Sequence, residues 1–189
     1  MSPRAGIDPG AVLQAAVAIA DSEGAEAVTI SSVAQRLGIR PPSLYNHVSG
    51  LGELRERIAV YALGELYDRI VRAASGLTGE RAIRSFADAY IGFAREHPGL
   101  YDVAQLAKDP TNRELAEASG KVVDFIVGLL GGYSLTKEEA LHTVRGLRSL
   151  IHGFASLERQ QGFGLPLDVR ESLQFSLALF LQGLSQRTG

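Results

Sequence analysis

The chain has 189 residues, 46% hydrophobic and 21% charged, with a formal net charge of −2. That balance suits one large or two small globular domains and excludes a general polyanion binder held by bulk positive charge. The absence of cysteine excludes disulfide staples, thiolate metal ligands and cysteine nucleophiles together.

Helical periodicity runs almost throughout, with glycine and proline as punctuation. Asp8-Pro9 sets an N-cap before an N1 proline and predicts a helix over about 10–23, closed by Gly24. Val28 to Val48, VTISSVAQRLGIRPPSLYNHV, reads as a helix-turn-helix. Thr29 offers a hydroxyl N-cap, Val33, Ala34 and Leu37 line one face, and Gly38 supplies the left-handed residue that ends the helix. Arg40-Pro41-Pro42 restarts the chain, because a proline in the first turn leaves no helical bond unmade. Leu44 and Val48, four apart, turn one side of the second helix inward and leave Ser43, Asn46 and His47 pointing away. No acidic residue occurs between Glu26 and Glu53, while Arg36, Arg40 and His47 do. The segment is therefore a small positive window for a phosphate backbone. Residues 1–50 as a whole hold three arginines against four acids, so DNA affinity here rests on where charges sit.

Further helices are predicted over about 53–74, 80–96, 99–107, 111–130, 137–160 and 168–186. Leu54, Ile58, Tyr61, Leu66 and Ile70 give the first its apolar stripe. Gly76, Gly79, His97-Pro98-Gly99 and Gly131-Gly132 are the stops. Thr136 with Glu139 is a capping box, and Asp168 caps the last helix after a Gly/Pro loop over Gln160 to Leu167. No run alternates as a strand would, so the fold class is all-α with about nine helices. The expected division is a DNA-reading head over 1–52 and a larger helical body over 53–189, joined through a helix. No 18-residue apolar run and no signal-peptide pattern occurs, which predicts a cytoplasmic protein with no membrane partner.

The last helix is the second strong signal. Ser172 to Gln186, SLQFSLALFLQGLSQ, contains no charged residue. Leu173, Leu177, Phe180 and Leu184 form one stripe, with Phe175, Leu179 and Leu181 largely outside it. A helix apolar on nearly every side must be buried on nearly every side. In the preceding helix Gly146, Ser149, Gly153 and Ser156 share a face opposite Val144, Leu147, Ile151 and Phe154. Two such helices from each subunit would build a four-helix homodimer interface. The alternative is a monomer whose body engulfs the last helix.

With its capped first helix, the run TISSVAQRLGIRPPSLYNHV and an apolar C-terminal pair, the chain resembles the TetR family of transcriptional regulators. Ile151 to Glu158, with Gly162-Phe163-Gly164 after it, resembles the C-terminal domain type named for a Trp-His-Gly signature. The chain has no tryptophan, and Arg148 stands about where that residue is expected. The resemblance implies a homodimer that binds a palindromic operator and releases it when a small molecule enters the body. It further implies that Thr29 caps the second helix and touches a phosphate. Arg40, Pro41, Pro42, Ser43 and Asn46 would face the groove, and Tyr45 and His47 would hydrogen-bond phosphates. The chemistry is apt: arginine forks onto guanine, asparagine pairs with an adenine edge, and proline meets a thymine methyl. Where the family commonly has a lysine at the start of the fourth helix, this chain reads Ser49-Gly50-Leu51-Gly52. Arg55 or Arg57 is the candidate substitute.

No catalytic site is legible and no cofactor is expected. His47, His97, His142 and His152 form no pair three or four apart, and no nucleophile-elbow or phosphate-loop motif occurs. His142, Arg145, Ser149 and His152 share a helical stripe that reads either as a polar interface edge or as ligand contact. A partly apolar effector pocket is expected in the body, with Tyr61, Tyr90, Phe93, Tyr101, Gln105 and Phe125 as candidate lining and Arg148 or His152 reaching in. The alternative for each aromatic is plain core. Besides the ligand-responsive repressor, the sequence leaves open a constitutive regulator without effector, and a helical small-molecule carrier or enzyme with a vestigial helix-turn-helix.

Overall fold

The structure is a computed structural model that describes residues 8–106, 109 and 111–188. Among these residues it contains nine α-helices, two short 3-10 turns and no strand. The helices are α1 (Pro9–Glu23), α2 (Ile30–Arg36), α3 (Pro41–Leu44), α4 (Leu51–Ala74), α5 (Gly79–Glu96), α6 (Pro98–Leu106), α7 (Arg113–Leu129), α8 (Lys137–Arg159) and α9 (Val169–Thr188). Every helix expected from the sequence is present. The two 3-10 turns, Ala25–Ala27 and Leu130–Gly132, were not expected. Both continue the chain past a helix end with i→i+3 bonds, a geometry that leaves no periodic signature.

The chain packs as two compact units. The first comprises the residues up to Gly64 together with His97–Ala118. Val12, Ala16, Ile19 and Ala20 of α1 are buried there with Val33 and Ala34 of α2, Leu44 of α3, and Leu54 and Ile58 of α4. Leu100, Tyr101 and Val103 of α6 complete that core. Helix α6 lies against α1 so closely that a Cβ on Gly99 would stand 1.6 Å from the carbonyl oxygen of Ala20. The His97 ring also meets the Asp21 carboxylate, with Nδ1 2.9 Å from Oδ2. This docking of α6 on α1 is long-range and was not visible in the sequence.

The second unit comprises Glu65–Glu96 and the residues from Ser119 onward. Its core holds Ile83, Phe86, Tyr90 and Phe93 of α5, Ile126 of α7, Val144, Leu147 and Ile151 of α8, and Leu173, Leu177 and Leu181 of α9. Helix α9 packs against both α5 and α8. Its inner arc is therefore wide enough to bury Leu181, which the sequence stripe left outside, while Phe180 and Leu184 are only half-buried. Gly146 also has a role the sequence did not suggest: a Cβ there would come within 3.0 Å of the Phe180 ring. Its bareness lets α9 of the same subunit approach.

Candidate nucleic-acid interface

The reading corner is built by local rules. The Ser32 backbone N–H donates to Thr29 Oγ1 and the Thr29 N–H donates to Ser32 Oγ, both at 2.9 Å. This capping box ties down the start of α2. The sequence showed Thr29 as the cap but missed Ser32, because a serine at N3 is a weaker sign than glutamate. At the other end Gly38 has φ +67°. The Ile39 N–H donates to the Ala34 carbonyl at 3.0 Å, and the Gly38 N–H to that of Gln35 at 3.1 Å. These two bonds are a Schellman stop, which needs the left-handed residue.

Helix α3 is shorter than its spacing suggested. Regular helix covers Pro41–Leu44, and residues 45–47 form a turn. The Asn46 and His47 amides bond to the carbonyls of Ser43 and Leu44, three residues back, so the last turn tightens. Leu44 and Val48 still point inward, 0% and 2% exposed. Thr29, Arg40, Pro41, Pro42, Ser43, Tyr45 and Asn46 are all exposed, and His47 is half-buried. Tyr45 presents its ring to solvent, 57% exposed. All eight candidate residues thus lie on two short helices and the turns at their ends, anchored by two buried apolar side chains.

The charge pattern around this corner is selective. Arg36 stands 3.8 Å from Glu23, and Arg55 stands 3.9 Å from Glu26. Arg57 is bonded to Glu53. Among the described residues Arg40 has no ion pair, so it is the head's uncommitted guanidinium. At the start of α4, where the family commonly has a lysine, the Ser49 N–H donates to Glu53 Oε2 at 2.6 Å. That bond, reinforced by Arg57, holds the Glu53 carboxyl below the ordinary range. Both candidate substitutes for the lysine therefore face a carboxylate.

The candidate ligand residues fall in both units. Tyr61, Tyr101 and Gln105 belong to the first, and Tyr90, Phe93, Phe125, Arg148 and His152 to the second. Tyr90, Phe93 and Tyr101 are buried, Tyr61, Gln105, Phe125 and His152 half-buried, and Arg148 exposed. Phe125 meets the Tyr67 ring edge-on with centroids 6.1 Å apart, and His152 Nε2 lies 3.4 Å from the Ser156 hydroxyl. Within the second unit His142 sits 3.7 Å from Glu138. Among the described residues no group of three or more His, Asp or Glu is placed to hold a metal ion. No helix among them is long and apolar enough to cross a membrane.

A capped helix, a glycine corner and a second helix with an exposed polar face define a helix-turn-helix DNA-binding regulator. Comparison with known proteins agrees. A family profile described as "Tetracyclin repressor-like, C-terminal domain" matches residues 83–180. An uncharacterized HTH-type transcriptional regulator, YobS of Bacillus subtilis, is 39% identical over 97% of this chain and 96% of its own. A solved structure of a protein of unknown function from Rhodococcus sp. RHA1 superposes with TM-score 0.81 at 18% identity, covering 98% of this chain and 100% of that one. A TetR variant from Acinetobacter baumannii AYE, solved in complex with minocycline, gives TM-score 0.73 at 18% identity over 97% and 99% of the two chains. This chain is a member of the TetR family of transcriptional regulators.

Proposed function

We propose that the protein is a homodimeric, ligand-responsive repressor that reads a palindromic operator and acts by binding alone. Residues 1–52 form the reading head, and residues 53–189 the effector-binding and dimerisation body. The observation that carries this reading is Arg40. It stands exposed beside Pro41, Pro42, Ser43, Tyr45 and Asn46 and has no ion pair among the described residues, whereas Arg36, Arg55 and Arg57 each face a carboxylate. An arginine left without a carboxylate is available for a guanine edge or a phosphate. Thr29, Tyr45 and His47 supply the flanking phosphate contacts. The pair of heads is joined through α8 and α9, a reading supported by the outward Phe175 and Leu179, 67% and 56% exposed. An effector acts by favouring one spacing of the two heads, since half-sites repeat at about 34–36 Å or a multiple.

The test is operator selection from genomic fragments by the purified protein, followed by the Tyr45→Ala/Asn46→Ala double variant. The double variant loses operator affinity by at least about 100-fold while its light-scattering mass stays that of a dimer. Normal binding by this variant, or no sequence-selective complex from the wild type at moderate salt, overturns the reading.

A second reading is a constitutive regulator without effector. It is favoured by the deep burial of Tyr90, Phe93 and Tyr101, at 4%, 2% and 2% exposure, as core rather than cavity wall. A melting scan across a metabolite library separates the two. A TetR solved with minocycline supports the ligand-responsive version.

A further inference from the structure

The antiparallel pair α8–α9 has a protrusion at one end and a hollow at the other. The protrusion is the connecting loop. Helix α8 ends at Arg159, and Gln161 just beyond it is held at φ 55°, with the Gly162 N–H donating to the Leu157 carbonyl at 2.7 Å. The Phe163 ring rests on Phe154 at 5.4 Å between centroids. These contacts fix the direction in which the chain leaves the helix. Beyond Gly164 come Leu165, Pro166 and Leu167, and the two leucines are 73% and 68% exposed. Nothing among the described residues covers them. A loop that spends leucines on water in this way needs a cover elsewhere.

The hollow lies between the first turns of α8 and the last turns of α9. It has a volume of about 420 Å³ and is lined by Leu135, Glu139, His142, Thr143, Phe180, Gly183 and Leu184. The loop of the same chain cannot fill it. Leu184 lies fifteen residues along α9 from Val169, which is roughly 20 Å at helical rise.

We propose that the Gly162–Leu167 arm of one protomer seats Leu165 and Leu167 in this hollow on the partner, and the partner's arm does the same in return. The inference rests on the homodimer reading and deepens it. Two ways of pairing the hairpins are available. A two-fold axis along the helices sets arm beside arm and hollow beside hollow. An axis perpendicular to them, passing near the exposed Phe175 and Leu179 at the middle of α9, brings each arm over the other subunit's hollow. Only the second arrangement matches a convex apolar element to a concave one and makes the apolar strip continuous from end to end. The second copy of this chain is therefore the occupant.

The lack of cysteine makes the test clean. Leu165→Cys and Gly183→Cys are both on exposed positions, and a Cβ at Gly183 meets nothing within 4 Å. Each variant is purified separately, mixed with the other, allowed to exchange and oxidised under mild conditions. A disulfide needs Cα atoms within about 7 Å. The expected result is a covalent dimer on a non-reducing gel from the mixture, and none from either variant alone. Covalent dimer from Leu165→Cys alone overturns the proposal by placing arm against arm. So does a mixture that is dimeric by light scattering yet forms no disulfide, and that outcome leaves the homodimer reading standing. A wild-type monomer at micromolar concentration overturns both. As a second measurement, Leu165→Asp/Leu167→Asp raises the dimer dissociation constant on the order of 100-fold with an unchanged circular dichroism spectrum. An unchanged constant overturns the proposal.

Discussion

Two corners of this molecule stop a helix with the same pair of hydrogen bonds and then present opposite surfaces. After α2 the stop is built on Gly38, with Ile39 and Gly38 donating to the carbonyls of Ala34 and Gln35. After α8 it is built on Gln161, with Gly162 and Gln161 donating to those of Leu157 and Glu158. The first corner leads into a segment that buries Leu44 and Val48 and shows solvent a proline, hydroxyl and amide face. The second leads into a segment that shows solvent Leu165 and Leu167. Backbone geometry at a helix end thus says where the chain turns, and the next ten residues decide what kind of partner the turn can meet.

The largest expected effect contrasts leucines at the two corners. Leu44→Ala empties a fully buried site and lowers unfolding free energy by about 3 kcal/mol. Leu165→Ala changes the stability of the monomer by less than about 0.5 kcal/mol. Denaturant titration at protein concentrations below the dimer dissociation constant checks both, and equal losses would break the contrast. Swapping the turn residues comes next. Gly38→Gln forces a side chain into the left-handed region, at a cost of about 1.5 kcal/mol. A Cβ there meets no atom within 4 Å, so the cost is conformational and the midpoint falls without a change in slope. The reverse exchange, Gln161→Gly, relieves that penalty and stabilises by about 1 kcal/mol, read as a rise of a few degrees in melting temperature. Thr29→Ala, which removes the cap bonded to Ser32, costs about 1 kcal/mol. Its thermal shift should be no larger than that of Gly38→Gln.

Most of the fold was legible because its signals are local. Asp8, Thr29, Thr136 and Asp168 each cap the helix that follows them, and Gly24 and Gly38 adopt a positive φ. The reading corner was legible for the same reason, since its caps, prolines and inward Leu44 all lie within twenty-one residues. What escaped depends on distant neighbours. Leu181 is buried because α9 touches two helices rather than one, which a single stripe cannot express. Gly146 faces Phe180, thirty-four positions away. The exposed leucines of the α8–α9 loop were present in the sequence as GFGLPLD. Only the folded chain shows them uncovered, because a turn-rich segment does not announce which of its side chains fold inward.

The contact between Gly99 and Ala20 has a mechanical consequence. Because the α6 backbone rests directly on the carbonyl at the end of α1, no side chain lies between them to absorb a push. Packed interiors are stiff, and the Asp21–His97 contact bolts the same joint from the side. A displacement of a fraction of an ångström at the start of α6 must be shared by the last turn of α1 without being dissipated in a rotamer change. The joint works as a rigid bearing, and any residue larger than glycine at position 99 would hold it permanently ajar.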